Sequence, residues 1–501
     1  MVVRCRMGLP LRKSTMASLE LLGRAAALTT VAALLGGCML GPNYQRPELA
    51  VPDKYRFADS TPGVTGATET AWWQGFQDPA LDALIAEALA VNYDLVAAAA
   101  RVEQFHGQLT VTRSGLYPQA SAQLGGTRTR VSERTESPVP LENPFNSVTG
   151  SLLASWELDL FGRVRRQSEA SLAALRGSEE FRRGVVLSVV SGVATSYVRL
   201  RDLDRRLEVA NDTVKIRSDA LALFERRFRG GVVSEVEVAQ ARSELAAAQR
   251  TVPTLEQSIA QEENALSILV GRNPGSIARG KTIDQLMLPS VPADLPSSVL
   301  ERRPDVREAE QALVAANAGI GAARALYFPS ISLTGALGVA SHSLSGLWSG
   351  PAQAWSYGAA ATMPLFTGGA ISGQVQAAEA STRQAVAQYR KAVQVAFRET
   401  DDALVGVDKT AKARNAQIQQ VQALQRYSIQ SRRRYEGGYT SYLEVLDADR
   451  SLFNAQLDLS QAQADVLLQH IALYKALAGG WIDIADRAAP QPAEASGQAA
   501  R

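Results

Sequence analysis

Residues 227–238 read Arg-Phe-Arg-Gly-Gly-Val-Val-Ser-Glu-Val-Glu-Val, and residues 434–445 read Arg-Tyr-Glu-Gly-Gly-Tyr-Thr-Ser-Tyr-Leu-Glu-Val. Both stretches carry a Gly-Gly pair followed by Ser-x-x-Glu, at an offset of about 207 residues. Two further pairs share roughly this offset, 115–118 with 325–329 and 269–271 with 477–479. Solenoid repeats are only about 20–50 residues long, so this period indicates duplication of a whole structural half.

Each Gly-Gly pair follows a long heptad pattern. Residues 186–228 place apolar side chains at alternating three- and four-residue steps, interrupted only by Ser196 and Arg217. Read as one helix, residues 163–229 would be about 100 Å long. The pairs Gly230-Gly231 and Gly437-Gly438 accept the positive φ that ends a helix. Each half is therefore predicted to hold a long antiparallel helical hairpin. The return helices are expected at 234–269 and 441–477, with shorter helices near 80–114 and 297–326.

Two segments alternate between apolar and polar residues, as strands do. Leu152, Ala154, Trp156 and Leu158 define one face of the first, and residues 331–340 alternate in the same way. Hairpin partners are predicted at 117–130 and 354–365. Strands of about ten residues with this alternation are typical of a transmembrane β-barrel, although a small soluble sheet with one buried face shows the same pattern. One chain offers about four strands and a closed barrel needs at least about 8, so spanning strands require several chains.

The N-terminus has the pattern of an export signal. A basic region precedes an apolar run from Ala25 to Leu35, which is shorter than the roughly 20 residues of a membrane-spanning helix. The run ends in Leu35-Gly36-Gly37-Cys38, which resembles a bacterial lipobox. This pattern predicts that Cys38 is acylated and becomes the first residue of the mature protein. An ordinary signal peptide followed by a stray cysteine is the alternative. Met39, rather than aspartate, favours the outer membrane.

Composition argues against an enzyme and against nucleic-acid binding. The chain has two cysteines, three widely spaced histidines and a formal net charge of +2. No metal-ligand spacing, phosphate loop or nucleophile motif is present, so no cofactor or metal is expected. Such a nearly neutral chain carries no electrostatic signal for nucleic acid.

Several motifs together resemble the TolC-like outer-membrane factors of bacterial tripartite efflux pumps, in their lipoprotein branch. They are Cys38 with residues 41–47, then 301–306, 364–369, 441–448 and 474–481. The resemblance covers residues 38–481. It implies an α+β membrane protein that forms a homotrimer, in which four transmembrane strands per chain build a 12-stranded β-barrel continued by a periplasmic α-helical barrel.

The resemblance also implies a function. The expected protein is a passive exit channel for drugs or other small molecules, in the outer membrane. Its partners would be a periplasmic adaptor protein and a proton-driven inner-membrane transporter. Two alternatives remain: an outer-membrane channel for protein (type I) secretion, and a lipid-anchored periplasmic coiled-coil scaffold without a pore. The strand alternation and the Gly-Gly tips argue against the scaffold.

In this family the periplasmic end is closed at the helical tips. Carried over by position, the constriction would comprise Leu443, Glu444, Asp447, Glu237 and Gln240. Threefold rings of carboxylates at a narrow mouth attract cations and repel one another. Glu237 and Glu444 also fit capping boxes with the preceding serines, so a cap and a gate are both open for them. Asp447 lies one turn further along, where a capping box does not explain it.

Five arginines lie near the same tips. They could form ion pairs between helices with these acids, contact the adaptor, or face solvent on the helix surface. They are Arg226, Arg227, Arg432, Arg433 and Arg434. The predicted organisation along the chain is a lipoprotein signal peptide (1–37), a lipid-anchored segment (38–79), a first repeat (80–272), a linker (273–296), a second repeat (297–481) and a disordered tail (482–501).

Overall fold

The computed structural model describes residues 39–49, 51–57, 71–134, 142–289 and 301–493. The predicted signal peptide, Cys38 and the end of the predicted tail (494–501) lie outside the described residues, as does part of the predicted linker (290–296). The chain divides into two compact units. The first comprises the residues up to 46 together with 107–174 and 313–385, and the second comprises 47–106, 175–312 and the chain from 386 onward.

Eight α-helices and four strands lie in the described residues. The helices are α1 (Pro79–Val91), α2 (Tyr93–Ser114), α3 (Arg163–Arg229), α4 (Glu235–Val270), α5 (Pro304–Ala325), α6 (Ala370–Glu436), α7 (Tyr442–Leu477) and α8 (Trp481–Ala488). The strands are β1 (Gln119–Thr129), β2 (Phe145–Leu158), β3 (Ser330–Ser341) and β4 (Gln353–Thr362). The predicted long helix 163–229 and both return helices are confirmed to within about a residue at each end.

The predicted heptad seam of α3 is buried within the second unit. Val186, Val189 and Val193 each expose 3% of their surface or less, as does Leu200 further along the helix. This burial follows from the three- and four-residue spacing, which keeps these side chains on one side of the helix.

The four strands form one antiparallel sheet in the order β1-β2-β3-β4. Leu152 lies opposite Ala122 on β1 and Leu337 on β3, and Trp156 lies opposite Leu333. Directly opposed residues share a face of the sheet. The apolar positions predicted on two separate strands therefore form one continuous face, and the predicted hairpin partners are confirmed.

One helical stretch of the described chain, Pro79–Ser114, is long and apolar enough to cross a membrane by composition. Asn92 divides this stretch into α1 and α2. Its side-chain oxygen accepts from the amides of Asp94 (2.8 Å) and Leu95 (3.1 Å), which caps α2. Because α1 buries Leu81 and Ile85 in the core of the second unit, its apolar composition belongs to a packed helix.

The prediction that residues 482–501 are disordered is wrong for their first part. Residues 481–488 form α8, whereas residues 482–501 are expected to be disordered from the sequence. Trp481 is fully buried and packs edge-on against Trp72, at 5.9 Å between ring centroids. Arg182 on α3 donates to Asp486 (2.9 Å) and to the Pro490 carbonyl (3.1 Å). Burial of apolar side chains and a half-buried ion pair thus order α8. The residues that are rich in Ala, Pro and Gln follow this helix.

The first part of the predicted linker is also ordered. The buried Asp78 side chain accepts from the Tyr197 hydroxyl (2.7 Å) and from the Lys281 amide (3.0 Å). The Gly280 amide in turn donates to the Tyr197 hydroxyl oxygen at 3.0 Å. Buried polar groups are costly unless they are paired, so this network fixes residues 280–281 against α3.

Candidate functional site at the hairpin tips

Both hairpins turn through the same backbone geometry. After α3, Gly231 has a φ of +71°, and the Val232 amide donates to the Arg227 carbonyl at 3.0 Å. After α6, Gly438 has a φ of +74°, and the Tyr439 amide donates to the Arg434 carbonyl at 2.8 Å. This pattern satisfies the last carbonyls of a helix and needs a residue that tolerates positive φ. The sequence duplication is therefore a duplication of turn structure.

The first turns of α4 and α7 pack on each other in one apolar cluster. Val238 and Ala241 on α4 belong to the same buried cluster as Val445 and Leu446 on α7 and Phe224 on α3. This packing brings the five gate candidates to one end of the second unit, on two neighbouring helix starts.

Glu237 serves as a helix cap. The Ser234 amide donates to its carboxylate at 2.8 Å, which completes the predicted capping box. The Tyr435 hydroxyl lies 3.4 Å from the same carboxylate. Glu237 thus links the start of α4 to the end of α6.

Glu444 does not form the capping box that the sequence predicts. Its carboxylate accepts from the Thr440 hydroxyl, and Arg434 lies 3.6 Å away. The residue equivalent to Thr440 in the first half is Val233, which has no hydroxyl to compete for the carboxylate. This difference explains why one copy of the motif caps its helix through the box and the other does not.

Asp447 and Leu443 face away from the packed core. Leu443 exposes 63% of its surface, as does its first-half counterpart Val236. The Tyr427 hydroxyl lies 3.4 Å from the exposed Asp447 carboxylate. Gln240, the counterpart of Asp447, is half-buried. At this position, an exposed acid is therefore present in the second hairpin and absent from the first.

A buried ion cluster joins the two hairpins at this end. Arg217 on α3 donates to the Glu244 carbonyl at 2.7 Å and lies 3.0 Å from its carboxylate. Arg450 on α7 donates to the other carboxylate oxygen, with Nε at 3.1 Å. Burial lowers the pKa of Arg217 and Glu244 opposes that shift. In the sequence, Arg217 is distinguished only as an interruption of the heptad seam, and that interruption is the signal for this cluster. Ser196, the other interruption, donates to Glu262 on the same return helix.

A cavity of about 370 Å³ opens beside this cluster. Three aromatic rings line it, with Phe224 and Tyr442 at 4.2 Å and Tyr435 and Tyr442 at 5.4 Å between centroids. Burial raises the pKa of Tyr442 to about 12. Arg432 at the edge of the cavity pairs with Asp449 at 2.9 Å. Two of the five tip arginines, Arg432 and Arg434, thus lie within 4 Å of acids.

The tips have charged and aromatic side chains but no arrangement for metal chemistry. Within the described ranges, no group of three or more His, Cys, Asp or Glu side chains is placed to hold a metal ion. The arrangement is that of two helical hairpins held by a buried ion cluster, with exposed acidic and apolar residues at the ends.

Comparison with known proteins agrees with this architecture. The model of the outer membrane efflux protein family matches residues 84–272 and 295–479, one block in each half. The chain belongs to the outer membrane efflux protein family. Its two matched blocks correspond to the duplicated halves, and its place is the outer membrane. Proteins of this family are outer-membrane channels.

Two curated relatives and one solved structure illustrate the similarity. The chain is 36% identical to the probable efflux pump outer membrane protein TtgC of Pseudomonas putida, over 91% of this chain and 96% of the relative. It is 35% identical to the cation efflux system protein CusC of Escherichia coli, over 90% and 97%. The open state of the Neisseria gonorrhoeae MtrE outer membrane channel matches with a TM-score of 0.78 and 32% identity, over 88% of this chain and 98% of that one.

Proposed function

We propose that three copies of this chain form a closed exit duct through the outer membrane for small molecules. The observation that carries the proposal is the four-stranded sheet. Within the described chain, β1 and β4 each pair on one side only, so the sheet has two open edges. An open edge in lipid costs several kcal/mol for each unpaired backbone group. Three chains contribute about 12 strands, which exceeds the minimum of about 8 for a barrel.

We place the gate of this duct at the hairpin tips. Asp447 is the principal gate residue, because it is exposed and serves no cap. Leu443 and Glu444 lie within one turn of it, and Glu237 and Gln240 hold the equivalent place on α4. A threefold ring of Asp447 carboxylates would favour cations at the mouth and would store repulsion that assists opening.

We propose two partners on the basis of the activity named for the relatives. An efflux pump has to drive its substrates, so a passive outer-membrane duct needs an energised inner-membrane transporter and a periplasmic adaptor that joins the two. Curated relatives are named as pump proteins for antibiotics, toluene, other solvents and cations. We therefore propose small-molecule efflux. Protein secretion and a scaffold without a pore are the competing functions.

The domain organisation belongs to the same proposal. Acylated Cys38 would anchor the mature chain in the inner leaflet of the outer membrane, after removal of residues 1–37. Residues 80–272 and 297–481 would be the two structural repeats, joined by the segment 273–296. The C-terminal part begins with the ordered helix α8.

An accumulation assay tests the proposed function. The chain is expressed, with the adaptor and transporter of its source organism, in a strain that lacks its own exit channels. Energised cells should hold several-fold less ethidium and toluene than cells without the chain. If the cells accumulate as much ethidium and toluene as cells without the chain, but a new polypeptide appears in the medium, the channel serves protein secretion. Unchanged accumulation without any secretion, from correctly localised trimers, would contradict both channel functions.

A further inference from the structure

The five residues that follow Cys38 form a short segment packed on the first unit. We call Met39–Asn43 the N-terminal strap. The Leu40 amide donates to the Phe161 carbonyl at 3.4 Å, and Met39 lies directly against Gly162. Phe161 and Gly162 form the turn between β2 and α3. The strap therefore begins beside the end of β2 that leads into α3, and the apolar face of β2 would contact lipid.

A buried arginine makes three hydrogen bonds to the strap. Arg166 on α3 exposes 1% of its surface. Its Nε donates to the Leu40 carbonyl at 3.0 Å, and one terminal nitrogen donates to the Gly41 carbonyl (3.2 Å) and to the Asn43 side-chain oxygen (2.9 Å). The other terminal nitrogen pairs with Glu169 at 2.7 Å. Buried charge is costly unless its donors are satisfied, and here three bonds of the fork go to the strap.

The opposite side of the strap is closed by α5. Gly41 has a φ of +88°, and a Cβ there would overlap the backbone of Gly321. The Asn317 side chain donates to the Pro42 carbonyl at 3.0 Å. Only a glycine fits this conformation and this approach. The strap is thus held between α3 and α5 by contacts that depend on its own sequence.

We propose that Arg166 is the positioning residue of the lipid anchor. The predicted lipidation site, Cys38, is joined to the clamped Met39 by one peptide bond. The strap then fixes the acylated cysteine beside the β2–α3 turn, so the acyl chains enter the inner leaflet at a set depth and not at the end of a free tether. This inference rests on the proposed acylation of Cys38 and goes beyond it, because it assigns the anchor a fixed place and a residue that holds it.

Hydrogen–deuterium exchange of the purified, acylated protein tests the proposal. In Arg166→Lys and Arg166→Met, exchange of the peptide spanning residues 39–46 should be faster by about tenfold or more, with little change elsewhere. Lysine retains the charge but lacks the fork, so both variants should release the strap. Asn43→Ala removes one acceptor only and should give a smaller increase in a securely folded protein. Arg163→Lys is the matched control, because Arg163 pairs with Glu157 and not with the strap.

Three outcomes would overturn the proposal. The peptide spanning residues 39–46 could exchange as fast in the wild type as in a denatured chain, or stay equally protected in both Arg166 variants and in Asn43→Ala. Faster exchange across the whole chain in all three variants would indicate a general structural role for this cluster. The mass of the N-terminal peptide reports acylation separately. An unmodified Cys38 would refute the anchor in the proposed function, while a protected strap in that same sample would still show the clamp.

Discussion

The imidazole of His470 is buried in α7 and exposes 5% of the residue's surface. Its Nδ1 lies 2.8 Å from the Val466 carbonyl oxygen. Burial lowers the pKa of His470 from its usual 6.5, the Val466 contact opposes this shift, and Arg414 adds to it. Below pH 6.5 the unfolded chain therefore binds a proton that the folded chain resists, and stability is lost as the pH falls through this window.

The predicted pH response can be measured as an apparent unfolding temperature at pH 8 and at pH 5.5. The temperature should fall toward pH 5.5, and His470→Gln should reduce that fall. His106→Gln, at an exposed position, is the control substitution for the loss of one imidazole. An identical slope in His470→Gln and in the wild type would contradict the assignment.

For single residues, the sequence indicates which positions are unusual but not which residues they contact. Arg217 and Ser196 were visible as polar interruptions of an apolar seam, but their partners Glu244 and Glu262 were not. Those partners lie on the return helix. Which side chains meet across a hairpin depends on how the two helices align, and the spacing of residues along one helix does not determine this. The Glu444 capping box was predicted wrongly because the hydroxyl of Thr440 offers its carboxylate a competing donor.

The hairpins are the elements on which gating depends, and Glu244 is the residue that ties them together. Glu244→Gln should loosen the tips, because it removes the charged carboxylate that contacts both the buried Arg217 and Arg450. Breaking a buried pair in this way costs roughly 3–5 kcal/mol. Hydrogen exchange of residues 211–250 should increase, and channel openings should become more frequent.

An exposed pair on the same hairpin gives the matched comparison. Glu225 and Arg242 lie 3.0 Å apart on the surface, and such pairs contribute about 0–1 kcal/mol. Glu225→Gln should therefore leave exchange and openings close to the wild type. Equal effects of the two substitutions would show that the buried cluster has no special role.

Helices and strands could be predicted where a period extends over many residues. The heptads of α3 and the alternation of β3 predicted element bounds close to those observed, whereas β2 begins at Phe145, well before the alternating residues Leu152 to Leu158. The short helix α8 was missed, although Trp481, Ile482 and Ala485 lie on one face of it. Amphipathic spacing over a single helical turn is too short to predict a helix when the following residues are rich in Ala and Pro. Its order comes from tertiary contacts with Arg182 and the Trp72 cluster.

For the whole molecule, the count of strands was the informative quantity. Four strands are too few to close a barrel, and the observed sheet has two open edges, as that count requires. The sequence could therefore predict that several chains are needed. The contacts of the N-terminal strap could not be predicted, because they depend on Arg166 and Gly321, which are far from it in the chain.

The proposed protein is a trimeric channel that is gated at the tips by Asp447. Single-channel conductance of the purified, acylated protein in planar bilayers tests the channel and the gate together. The wild type should show small, infrequent, cation-preferring openings. These should become larger or more frequent, and less cation-selective, in Asp447→Ala. Asp402→Ala removes an exposed acid on α6 and should behave as the wild type. Folded trimers of both wild type and Asp447→Ala that conduct no current would contradict the channel, and equal conductance of these two proteins would contradict the gate.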